Sequence, residues 1–156
     1  MNAYKQSVGA QLEQVSTKVF RTDMNVAWEA ALESMKSMTL DISNRESGFI
    51  QTKWTDNTSD KNFSDSFAGA RAYLKAQFRF KVNVATAYYN GEPVVKVSVQ
   101  REQLVQRDVL EGWKPIQSDQ IEESTLLYRM GRIIKLKIRV SRALERKTQQ
   151  ETESLE

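Results

Sequence analysis

The stretch DMNVAWEAALESMKSMTLDISNRESGFIQTKW, from Asp23 to Trp54, decides the fold. Met24, Trp28, Ala31, Met35 and Met38 recur at steps of three or four and make one apolar stripe. Glu29, Glu33 and Lys36 fall on the other side, the pattern of a helix lying on a core. Thr22 or Asp23 supplies the cap, because a side-chain oxygen accepts from the free amides of the first turn. Leu40–Asn44 then reads as a strand, with Leu40 and Ile42 alternating against Asp41 and Ser43. Gly48 turns the chain into a further strand, in which Ile50, Thr52 and Trp54 share a face opposite Gln51 and Lys53. A helix folding back onto a hairpin is the expected core motif.

Downstream, Leu74, Ala76, Phe78, Phe80, Val82 and Val84 alternate with Lys75, Gln77, Arg79, Lys81 and Asn83. So long a period of two means one buried and one wet face. Asn90-Gly91 is a hairpin signal, since both residues tolerate positive φ. Val95, Val97 and Val99 answer inward on the returning strand, with Lys96, Ser98 and Gln100 outward. Upstream, Val15–Arg21 forms a first strand with Val15, Thr17 and Val19 on one face; Phe20 breaks the alternation. Residues 55–70 read as a long polar loop with Phe63 and Phe67 as anchors, and Gly112-Trp113-Lys114-Pro115 as another loop. The last element starts near Ser118 or Asp119 and is helical, with Leu127, Met130, Ile134 and Ile138 at helical spacing. Gly131 permits close packing against the sheet.

The expected fold is α+β: an antiparallel sheet of about five strands with two helices on one face, in the order β-α-β-β-β-β-α. Residues 1–14 read as a flexible lead-in, 15–147 as a single domain, and 148–156 as a disordered tail, of which Leu155-Glu156 reads as a vector-derived dipeptide.

The 156 residues contain no cysteine and no histidine. Disulfide frameworks, thiolate metal sites and cysteine nucleophiles are thereby excluded, and with them most hydrolase triads and zinc sites. The spacing of Asp56, Asp60 and Asp65 matches no calcium loop. No carboxylate pair or Ser–Lys pair is singled out by spacing. The expectation is therefore no catalytic residue, no metal and no cofactor.

The net charge of +3 is unevenly spread. Lys53, Lys75, Arg79, Lys81 and Lys96 are expected on the open side of the sheet, where they can meet an anionic surface or simply lie in water. Phe78, Phe80 and Trp54 are expected on the apolar face, which argues against base stacking and so against nucleic acid. From Arg129 to Lys147 there are eight basic residues and one acid, Glu145. That run suits either a solvated helix face or an anionic surface. Trp113 is either a partner contact or a loop anchor. A groove between sheet and helix, lined by Trp28, Met35, Trp54, Phe78, Phe80 and Ile134, is the candidate ligand cavity. No apolar run is long enough for a membrane-spanning helix.

Asn25–Met35, followed by Leu40-Asp41-Ile42 and Arg45–Trp54, resembles the helix-grip module of the BamC-type lipoproteins of the outer-membrane β-barrel assembly machinery. The resemblance covers residues 18–146 as one module. It implies a non-enzymatic periplasmic domain acting through contacts with other envelope proteins, in outer-membrane protein assembly. It also implies that the only membrane attachment is an N-terminal lipid anchor, on a cysteine preceding residue 2. A carrier of lipid or small apolar ligands in the groove is the alternative, and a binder of anionic surfaces or nucleic acid through the basic sheet face a second. The residues leave the oligomeric state open.

Overall fold

Residues 15–66 and 72–155 are described by a computed structural model. In chain order the elements are β1 (Ser16–Phe20), α1 (Met24–Ser34), β2 (Leu40–Asn44), β3 (Phe49–Thr52), β4 (Thr55–Asp56), α2 (Thr58–Ser66), β5 (Lys75–Tyr89), β6 (Glu92–Gln106), β7 (Lys114–Ile116) and α3 (Ile121–Glu153). The class is α+β, as expected, with seven strands where about five were read. All strand pairs are antiparallel, in the order β1-β6-β5-β3-β2; β4 also pairs with β5, and β7 with β6.

The long hairpin β5–β6 is the spine. It turns on Asn90 (φ 51°) and Gly91 (φ 78°) and pairs every residue from Tyr89↔Glu92 to Lys75↔Gln106. Phe80, Val82 and Val84 on β5 and Val95, Val97 and Val99 on β6 are buried on one face. Against them pack Ala27, Trp28 and Ala31 of α1, Met35 just past its end, and Leu126, Leu127, Met130 and Ile134 of α3. Each of the valine, leucine, isoleucine, methionine and phenylalanine side chains contributes about 1.5–3 kcal/mol by leaving water, the alanines less. Gly131 of α3 lies where a Cβ would stand 3.1 Å from the Phe20 ring, so its role is close helix–sheet approach. Gly48 (φ 67°) passes directly against β5, where its carbonyl accepts from Val84 N–H at 2.7 Å. Any Cβ there would collide with the Val84 carbonyl oxygen.

Asp23 caps α1, its Oδ1 accepting from Val26 N–H at 2.9 Å. At α3, Asp119 Oδ1 accepts from Ile121 N–H (3.0 Å) and Ser118 Oγ from Gln120 N–H (3.1 Å).

Several expectations are corrected. Residues 55–66 are not loop. Asp56 accepts from the Thr58 amide and hydroxyl, both at 3.1 Å, and starts α2. Asn62 then clamps the Tyr73 backbone through both its N–H (2.6 Å) and its carbonyl (2.9 Å). Phe63 is exposed rather than a buried anchor, and Phe67 lies outside the described residues, as does the 1–14 lead-in. Lys114–Ile116 joins the sheet as β7. On β1 the inward residue is Phe20, while Val15 and Val19 are exposed; pairing Phe20 with Val95 and Val19 with Lys96 fixes this. Ile42 is also turned outward, because the β2–β3 register slips by one residue between Leu40↔Thr52 and Ile42↔Gln51. Leu74, expected inward, is exposed. Finally, α3 does not end in a disordered tail at 148 but runs to Glu153.

Candidate contact surfaces and the helix–sheet cleft

The helices share one side of the sheet with the core, and among the described residues none covers the other face. A second register slip shapes that open face. Gln51 pairs with Lys81 and Thr55 with Phe78. Four steps on one side therefore span three on the other, and one extra residue is accommodated between β3 and β4. Thr52 Oγ1 takes the Phe80 N–H at 2.9 Å where a ladder carbonyl would otherwise serve. The parity of the chain inverts past this point. Trp54 thus leaves the groove side, where alternation placed it, and emerges on the open face.

There the Arg79 guanidinium lies 4.4 Å from the Trp54 ring centre. Arg79 Nε also donates to Glu102 Oε2, and Lys81 Nζ to Glu102 Oε1, each at 2.5 Å. Burial alone raises the Glu102 carboxyl, but hydrogen bonds and charge from Lys81 and Arg79 outweigh it and hold it below its ordinary value. The expected basic stripe is therefore broken. Arg79 and Lys81 share one carboxylate at its centre. Lys75 stands exposed at the start of β5, and Lys96 exposed beside Ala85 and Val19. Lys53 is exposed in the β3–β4 connection, its backbone N–H bonded to Thr39 O at 2.9 Å. Trp113 is 41% exposed in the β6–β7 loop, remote from this cluster in sequence and carried on another strand connection. The signal for Glu102 was in the sequence: counting outward from the Asn90-Gly91 turn sets Arg79 opposite Glu102.

The groove also differs from expectation. Trp28, Met35 and Ile134 are sealed in the core. The open cleft, about 590 Å³, sits instead over Phe78 and Phe80 at the start of α3, with Met38 and Leu126 completing its apolar floor. Its walls are polar: Asn57 and Lys61 near α2, Arg101 and Gln103 on β6, Glu122 and Arg129 on α3. The Arg101 guanidinium lies 4.4 Å from the Phe78 ring centre, with Nη1 3.4 Å from Glu122 Oε2. Asn57 Oδ1 and Arg101 Nε are buried without a hydrogen-bond partner among the described residues. Beneath the cleft, Glu123 is fully buried. Its Oε1 accepts from Arg101 N–H (3.2 Å) and its Oε2 from Ser118 Oγ (2.9 Å). This carboxylate ties β6 to the loop entering α3. Sequence reasoning missed it, because Glu123 stands five residues after Ser118, outside the three-residue spacing of a capping box.

Among the described residues no group of three carboxylates could hold a metal ion, and no helix is long and apolar enough to cross a membrane. No protein-family model matches the chain, and no curated protein matches it either.

Proposed function

We propose that this chain is a non-enzymatic contact module of the bacterial cell envelope, periplasmic and held at the outer membrane by an N-terminal lipid anchor, working through protein partners in outer-membrane protein assembly. The envelope setting rests on the resemblance of residues 18–146 to the BamC-type helix-grip module. One structural observation carries the contact reading: the Trp54–Arg79–Glu102 cluster on a sheet face that no helix covers among the described residues. Tryptophan and arginine dominate the energetics of protein interfaces. Here the arginine is already ordered, by the ring on one side and the carboxylate on the other, so less freedom is lost on binding. Photo-crosslinking from Gln100, beside Lys81 on this face, tests it in cells. A discrete protein adduct that disappears in Trp54→Ala supports the reading; the same adduct pattern with and without Trp54 refutes it.

The cleft favours a second reading, a carrier of a small ligand with an apolar body. Its support is the unpartnered pair of buried polar atoms, Asn57 Oδ1 and Arg101 Nε, in walls above a floor of Phe78 and Phe80. Native mass spectrometry of the purified chain tests this: a bound mass lost in Phe78→Ala supports it, and a bare chain counts against it.

A further inference from the structure

A longer run of unpaired positive charge lies on α3. The helix has 33 residues, about 50 Å at 1.5 Å per residue. Its contacts with the core end at Ile138, and every residue from Arg139 to Leu155 is exposed. An isolated stretch of this length is marginal as a helix in water. At about 100° per residue, the side of α3 turned away from Leu126, Met130 and Ile134 carries Arg132, Arg139 and Arg146, flanked by Lys135 and Arg142. None of these five cations has an ion-pair partner among the described residues. Beside Arg132 and Arg139, on the flank of the stripe nearer α1, lie Leu136 and Val140, each more than half exposed.

We infer that this face of α3 docks on a bilayer surface rich in anionic phospholipid, with the helix axis in the plane of the membrane. Charge complementarity selects the partner's sign. The apolar ridge selects its kind. Leucine and valine set among cations have a favourable place at the boundary between headgroups and acyl chains, where arginine and lysine stems extend back to the phosphates. A nucleic-acid backbone offers the same phosphates but no apolar layer for the ridge. Docking would also give the overhanging half of α3 the packing it lacks. The face lies on the helix side of the molecule, away from the open sheet face, so both surfaces can be occupied together.

The test is co-sedimentation of the full chain with vesicles of phosphatidylcholine alone or mixed equally with phosphatidylglycerol. The expected result is partitioning to the mixed vesicles only, weakening as salt screens the charges. Each cation near an anionic surface strengthens partitioning about fivefold, so Arg132→Gln/Arg139→Gln/Arg146→Gln should weaken it about a hundredfold. The corresponding triple lysine variant should retain binding. Leu136→Ser/Val140→Ser should also lose it, and Trp54→Ala should leave it unchanged. These positions are exposed, and circular dichroism checks that each variant keeps the fold. Equal partitioning to both vesicle types, or wild-type partitioning by the glutamine variant, overturns the inference. So does duplex DNA binding that survives the serine variant in the absence of vesicle binding, which would assign the face to nucleic acid.

Discussion

Arg79 holds its guanidinium 4.4 Å from the centre of the Trp54 ring, and the contact exists because the strand edge facing β5 carries one residue too many. Without the slip between Gln51↔Lys81 and Thr55↔Phe78, Trp54 would point toward the helices. Thr52 is the residue that makes the slip tolerable, since its hydroxyl accepts the Phe80 amide. Thr52→Val keeps the shape and removes the acceptor, leaving a buried N–H unpaired. The expected loss is about 1–3 kcal/mol of unfolding free energy, read by urea denaturation; an unchanged midpoint would mean that the hydroxyl does not hold the bulge.

Gly48 is required by two independent constraints, a positive φ and a carbonyl of Val84 where a side chain would stand. Gly48→Ala must strain the turn and push β3 from β5. It should destabilise by about 2–4 kcal/mol, measured by thermal or urea unfolding. Gly91, which also has positive φ but open space around it, should lose less on the same substitution, about 1 kcal/mol.

Glu102 makes stability depend on acid. Its folded carboxyl titrates below the ordinary 4.5, so the unfolded chain binds the proton first as pH falls. The stabilisation is complete above the unfolded value and is lost as pH drops through the lowered folded one. Glu102→Gln should therefore lower stability at neutral pH and flatten the stability profile below about pH 4.5. Unfolding free energies measured from neutral to acid pH check this; parallel profiles for the two proteins would contradict it.

Glu123 is a buried carboxylate with two donors, Arg101 N–H and Ser118 Oγ. Glu123→Leu leaves both without an acceptor and should cost about 2–4 kcal/mol. Loosening of the loop into α3 should be visible as faster amide exchange at Arg101 and Gln120. Unaltered exchange there would remove Glu123 from its proposed structural role.

The α1 stripe, the β5–β6 alternation and the Asn90-Gly91 turn could be read because each is a local pattern with a single physical cause. Trp54 and Ile42 could not be placed, because their faces are set by bulges that arise from pairing with neighbouring strands rather than from their own alternation. α2 carries no apolar stripe. Asp56 and the clamp of Asn62 on Tyr73 hold it, and neither leaves a periodic trace. At the candidate site, Arg79 and Lys81 were placed on the open face, but their charge was misjudged until Glu102 was set opposite. The cleft was displaced toward Phe78 and Phe80 because Trp28, Met35 and Ile134 pack too closely to leave a cavity.

The most direct test of the account is the affinity of the chain for the partner captured by crosslinking from Gln100, compared across Trp54→Ala and Trp113→Ala. If Trp54 is the anchor of the open face, its truncation should weaken binding about thirtyfold or more, the loss of an interface hot spot, while Trp113→Ala leaves the affinity within a factor of about two. Equal affinities for wild type and Trp54→Ala would contradict the account.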